Sequence, residues 1–219
     1  MKIIFGTTNE RKIEDLRNIV SLLELDLEIL SLNDINYNLG EIEETGKTLE
    51  ENSLIKTINI YNFCQKNNMN YPILADDAGL FCNALNGEPG VYTARYADKE
   101  LSLNPDLPKY QCVLKLLDKL KNCNDRRAEY RCVVTCMFPD GTFFQEYGES
   151  EGTISKKIVG ELKRPYFYSV FILDGYKKTF NELNEEELIN TYRYDALKKI
   201  LINMQQYLGD YYSKKTSIK

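Results

Sequence analysis

Residues 2–30, KIIFGTTNERKIEDLRNIVSLLELDLEIL, decide the fold. Lys2-Ile3-Ile4-Phe5 is a short apolar run that reads as a buried opening strand. Asn9 then offers a side-chain oxygen as an N-cap, and Ile13, Leu16, Ile19, Val20 and Leu23 recur with the 3.6-residue period of a helix. Leu27 to Leu30 reads as a second strand. Working outward, residues 33–46 are polar and acidic and read as a loop. A long helix is expected next, with Leu54, Ile55, Ile58 and Phe63 facing inward. Tyr71-Pro72 opens a third strand, Ile73-Leu74-Ala75, which is expected to end at Asp76-Asp77.

Further along, Gly87-Glu88-Pro89-Gly90 is a turn segment, and Asp106 to Leu120 reads as a helix. Ala128–Phe138 and Phe143–Tyr147 flank Pro139-Asp140-Gly141. This is a hairpin signal, because Pro presets its φ and Gly accepts φ > 0. Phe167–Leu173 reads as another strand, and Ala196, Leu197, Ile200, Leu201 and Met204 form the apolar stripe of a terminal helix. Strand-helix-strand at the start and a hairpin in the middle predict an α/β fold, a mixed sheet flanked by helices. Residues 1–208 are expected to form one catalytic domain, with a polar, lysine-rich tail fraying from Gly209.

Composition narrows the chemistry. A chain of 219 residues with 43% hydrophobic and 28% charged residues has the make-up of a globular protein. The net charge of −5 leaves no basic surplus for neutralising a nucleic-acid backbone, so no nucleic-acid partner is expected. No apolar run approaches membrane-span length, and Met1 leads into a strand rather than a signal peptide, so no membrane association is expected either. The six cysteines include no Cys-x-x-Cys pair and read as small buried hydrophobes in a reducing, cytoplasmic setting. Histidine is absent, which removes every Ser-His-Asp or Cys-His mechanism. Any general base must be a carboxylate, a tyrosine or a lysine.

Two constellations carry chemistry. Thr7-Thr8-Asn9-Glu10-Arg11-Lys12 lies on the turn from the first strand into the first helix, where backbone N–H groups favour anions and Lys12 can reach phosphate oxygens. The alternative is an ordinary capped helix with a solvated lysine. Asp76-Asp77 follow a buried strand, with Glu41, Glu43 and Glu44 in the acidic loop before them and Lys56 on the long helix. Hard oxygen ligands beside a polyphosphate suit Mg²⁺, whereas Glu41 and Glu43 read as a solvated loop.

The string Ala75-Asp76-Asp77-Ala78-Gly79-Leu80, followed by Ala84-Leu85-Asn86-Gly87-x-Pro89-Gly90-Val91-Tyr92-x-Ala94-Arg95-Tyr96, resembles the signature of the inosine triphosphate pyrophosphatase family. Thr7-x-Asn9-x-x-Lys12, Glu43-Glu44-Thr45-Gly46-x-Thr48 with Glu51-Asn52 and Lys56, and Gly148-x-x-x-Gly152-x-Ile154 match the same family in order. The resemblance implies an elongated mixed sheet in two lobes with a central substrate cleft, a homodimer, and Mg²⁺-dependent hydrolysis of non-standard purine triphosphates such as ITP, dITP and XTP to monophosphate and pyrophosphate. It assigns Asp77 and Glu44 to the metal, with Asp77 acting as or positioning the base and Asp76 supporting the pair. Thr7, Thr8, Asn9 and Lys12 would cradle the triphosphate beside Ala78, and Lys56 would neutralise charge developing on it.

The second half departs from the family where the base is read. Against the family's Phe-Gly-Tyr-Asp-Pro-x-Phe, anchored on Phe171, stand Pro165 for the stacking Phe and Tyr168 for the Asp. A register slip of two would make Phe167 the stacker. The family's Ser-His-Arg corresponds to Thr191-Tyr192-Arg193, and a lysine five residues before that histidine becomes Glu187. Phe167, Tyr168, Glu187, Tyr192 and Arg193 are therefore the expected base-side residues, and a re-tuned base preference competes with the family's own. Glu187 could accept from an exocyclic amino group. A non-catalytic nucleotide-binding homologue is the remaining alternative.

Overall fold

The computed structural model describes residues 1–97, 107–160 and 166–216. Strand β1 (Lys2–Phe5) leads into helix α1 (Glu10–Leu22), and β2 (Glu28–Leu30) lies parallel to β1, with Ile3 opposite Ile29. Helix α2 (Leu49–Lys66) returns the chain to β3 (Ile73–Cys82), which is parallel to the other side of β1. Placing β1 between β2 and β3 makes this a topological switch point, where ligands of open α/β sheets bind beyond the carboxyl ends of the strands. Then come β4 (Pro89–Gly90), α3 (Leu107–Lys119), β5 (Arg127–Met137), β6 (Phe143–Ile154), β7 (Phe171–Leu173), α4 (Glu185–Leu188) and α5 (Tyr192–Thr216). The sheet order is β2-β1-β3-β5-β6-β7, with β4 antiparallel to β3 and β7 antiparallel to β6. It is the mixed sheet flanked by helices that the sequence predicts.

Two compact units share these strands. One comprises Met1–Asp77, Cys132–Gly148 and Arg193–Lys219, and the other Ala78–Arg131 and Glu149–Tyr192. In the first unit Ile4, Ile35, Ile60, Phe63, Cys64 and Ile73 pack into one apolar cluster. In the second, the Tyr130 ring stacks on Tyr192 at 4.8 Å and on Phe180 at 5.6 Å, and meets Phe171 and Tyr168 edge-on. Gly152 is required in this unit, since a Cβ there would lie 2.3 Å from the Ile172 carbonyl oxygen and 2.7 Å from the Phe171 ring. Among the described residues no helix is long and apolar enough to cross a membrane.

Three sequence expectations need correction. The third strand does not end at Asp76-Asp77 but runs through them to Cys82, because β3 changes partner: Ile73 and Leu74 pair with β1, Leu80 and Phe81 with β4. The buried face of α2 carries Asn52, Ser53, Thr57, Ile60, Phe63 and Cys64, whereas Leu54 and Ile55 are half-buried and Ile58 is exposed. Polar residues are buried there because their hydroxyls and amide find partners. Phe167 and Tyr168 lie on a 3-10 turn, Tyr166–Ser169, and only Phe171–Leu173 is strand. Asp106, the expected start of the middle helix, and Pro165, aligned with the family's stacking Phe, lie outside the described residues.

Candidate active site

Asp76 and Asp77 occupy successive positions of β3, so their side chains leave the sheet on opposite faces. Each face brings a different cation. On one, Lys12 of α1 donates to both Asp76 carboxylate oxygens at 2.9 and 3.2 Å, and Arg193 of α5 pairs with the same carboxylate. The Tyr194 hydroxyl, donating to Asp15 at 3.0 Å, ties α5 to α1 on this side. Burial alone would raise the Asp76 carboxyl, but Arg193, Lys12 and Lys56 outweigh it and hold the group well below the usual carboxylate range. Lys12, desolvated and near Arg193 and Lys56, is pushed below its ordinary value despite Asp76. Asp76 is thus a fixed anion that organises two cations.

On the other face stands α2. The Lys56 ammonium donates to Glu44 Oε1 at 2.8 Å, Asp77 Oδ1 at 3.1 Å and the Asp76 carbonyl at 2.8 Å. Burial lowers the lysine's affinity for its proton, but the surrounding carboxylates more than restore it and it lies above its ordinary value. Asp77 is pushed up by burial and by the negative charge of Glu44, against the pull of Lys56 and Asn52. Two carboxylates gathered on one ammonium are hard-oxygen donors of the kind a divalent cation takes. Among the described residues no three His, Cys, Asp or Glu side chains converge. Such a cation would therefore take Glu44 and Asp77 and complete its shell with water and phosphate oxygens, as Mg²⁺ commonly does.

The Thr7–Lys12 turn follows from β1. Gly6 is confined, since a Cβ would meet Ile60 at 2.5 Å. Beyond it the Thr7 hydroxyl accepts the Asn9 backbone N–H at 3.1 Å, and the Asn9 side chain caps α1 through the Arg11 N–H at 3.1 Å. Thr8 and Asn9 are exposed at the N-terminus of a 13-residue helix, where partial positive charge favours an anion.

In the first unit the structure therefore brings together Lys12, Asp76 and Arg193, and Glu44, Lys56 and Asp77. Ala78, the next residue of β3, is half-buried and opens the second unit. The base-side expectations fall otherwise. Tyr168 and Tyr192 are buried and share a hydrogen bond between hydroxyls at 2.7 Å, inside the aromatic cluster. Phe167 is buried, with Tyr96 edge-on at 6.3 Å. Glu187 accepts from Lys178 at 3.0 Å and from the Asn184 backbone N–H at 2.9 Å, completing the capping box of α4. The residue that sequence reading gave no role is Asn52. Its place in the matching stretch, between Glu51 and Lys56, was the available signal.

Comparison with known proteins gives the family. The Ham1 family profile matches residues 3–202. A "dITP/XTP pyrophosphatase" of Clostridium perfringens is 34% identical over 208 residues, covering 93% of this chain and 97% of that protein. One of Christiangramia forsetii with the same name is 36% identical over 187 residues, covering 85% and 90%. The solved Ham1 protein of Staphylococcus aureus superposes with a TM-score of 0.78 at 29% identity, covering 94% of this chain and all of that one. With the profile spanning nearly the whole chain, this protein belongs to the Ham1 family.

Proposed function

We propose that this nucleotide pyrophosphatase hydrolyses non-standard purine nucleoside triphosphates, (d)ITP and XTP, to the monophosphate and pyrophosphate in a Mg²⁺-dependent reaction. The observation that carries the reading is Glu44, in the loop before α2, and Asp77, on β3 at the switch point, both held on Lys56. Two relatives above 30% identity are named for dITP and XTP, which supports the substrate class. Mg²⁺ held by Glu44 and Asp77 would polarise the phosphate oxygens it contacts. The N-terminus of α1, with Thr7, Thr8, Asn9 and Lys12, binds the polyphosphate. Asp77 orients a water toward the α-phosphorus and takes its proton as the new P–O bond forms. The bond from the α-phosphorus to the bridging oxygen breaks, and pyrophosphate leaves with its negative charge met by Lys56 and Lys12. Asp76 holds Lys12 and Arg193 in place.

A second reading, relaxed or redirected base selectivity, is favoured by one observation. Tyr168 and Tyr192 bond to one another in an aromatic cluster, and Glu187 is engaged by a helix cap and Lys178. A panel of ITP, dITP, XTP, ATP, GTP and CTP with Mg²⁺, read by pyrophosphate release, tests both. A preference of about 10²-fold or more for ITP and XTP over ATP supports the first, within the range that hydrogen-bond matching gives. Similar rates across the panel support the second. Diphosphate and orthophosphate as the first products would contradict both.

A further inference from the structure

We propose that Asn52 is a positioning residue that sets the separation of Glu44 and Asp77 by bonding to both sides of the pair at once. The proposal rests on the metal reading above. Asn52 is 1% exposed, and its amide is spent in two directions. Nδ2 donates to Asp77 Oδ2 at 3.1 Å, leaving Oδ1 for Lys56. Oδ1 of Asn52 accepts the Gly46 backbone N–H at 2.8 Å, two residues after Glu44. One planar amide thus joins the strand that carries one carboxylate to the loop that carries the other.

The loop is built for this contact. A Cβ on Gly46 would lie 2.6 Å from Asn52 Oδ1 and 2.7 Å from Glu51 Cβ, so only glycine allows the approach. The next two residues are tied to the same helix turn: the Lys47 N–H donates to Glu51 at 2.5 Å, and the Thr48 hydroxyl accepts the Glu51 N–H at 3.2 Å. Lys56 offsets the repulsion between the carboxylates with charge. Asn52 adds no charge, so it fixes their geometry without competing with a cation. A primary amide offers, on two separate atoms of one plane, a donor to a carboxylate and an acceptor to a backbone N–H. Aspartate would lose the donor and leucine both.

The test measures Mn²⁺ binding to nucleotide-free protein by electron paramagnetic resonance of the free ion, beside Mg²⁺-activation curves for turnover. Asn52→Leu keeps the branched shape of the side chain and removes both bonds. Gly46→Ala attacks the same link from the loop and serves if the leucine variant does not fold by near-ultraviolet circular dichroism. Either folded variant should bind Mn²⁺ about 10- to 100-fold more weakly, the usual cost of losing an outer-shell partner. Turnover should recover substantially at high Mg²⁺, with KM for the nucleotide little changed at saturating metal. Native Mn²⁺ affinity in either folded variant would overturn the proposal. Asp77→Asn is the reference: if it too binds Mn²⁺ normally, the metal reading itself has failed.

Discussion

At the scale of single residues, the candidate site is built on buried charges that cannot stand alone. Asp76, 2% exposed, pairs with Arg193 and Lys12, and removing one partner leaves an uncompensated ion. Arg193→Met should cost about 3–5 kcal/mol in urea unfolding at neutral pH, as breaking a buried pair typically does. A loss below about 1 kcal/mol, the range of exposed pairs, would show that water already screens the site. The sign of the pH dependence follows from the depressed Asp76 carboxyl. Its contribution is complete above the unfolded value of about 4 and is lost as pH falls below it toward the folded value. Asp76→Asn should therefore flatten the acid limb of the stability curve. The pairing was not legible in sequence, because Arg193 lies 117 residues from Asp76 and no local pattern links them. The cations themselves were legible, through the Thr7-x-Asn9-x-x-Lys12 motif and the arginine of Thr191-Tyr192-Arg193.

At the scale of elements, α2 buries Asn52, Ser53 and Thr57 on the same face as Ile60, Phe63 and Cys64. The Ser53 hydroxyl donates to the Ala75 carbonyl at 2.9 Å, so its 2.6 Å contact with Thr135 receives the Thr135 proton, and Gln145 Nε2 donates to Thr135 at 2.8 Å. This directed chain anchors the helix to the backbone just before Asp76. Ser53→Ala should cost about 1–3 kcal/mol, since it leaves buried partners unsatisfied. Ile58→Ala, at an exposed position, should stay within about 0.5 kcal/mol. The opposite order in thermal or urea unfolding would restore the apolar face. Periodicity served well for α1 and α5, where Ile13, Leu16, Ile19, Leu197, Ile200 and Leu201 are all essentially inaccessible to solvent. It failed for α2 because satisfied buried hydroxyls look, in sequence, like solvated ones. It also shortened β3, since paired aspartates read as the start of a turn unless strand pairing holds them.

At the scale of the whole molecule, the expected site residues divide unevenly between the two units. Those expected at phosphate and metal, except Ala78, fall in the first, as does Arg193, expected on the base side, whereas Phe167, Tyr168, Glu187 and Tyr192 fall in the second. Sequence resemblance was strongest over the first group and failed over the second, where the family's base-side residues are replaced by tyrosines and a helix-capping glutamate. Side chains that touch polyphosphate and metal are constrained by charge and distance. An aromatic cluster tolerates exchange among rings of similar size, so its members say little in sequence about what they contact. The central claim is the site of attack, and isotope placement tests it most directly. ITP is hydrolysed with Mg²⁺ in ¹⁸O-enriched water, and the products are resolved by ³¹P nuclear magnetic resonance. Attack at the α-phosphorus predicts one ¹⁸O in the inosine monophosphate and none in the pyrophosphate. Label in pyrophosphate, or in orthophosphate formed beside a diphosphate, would contradict the account.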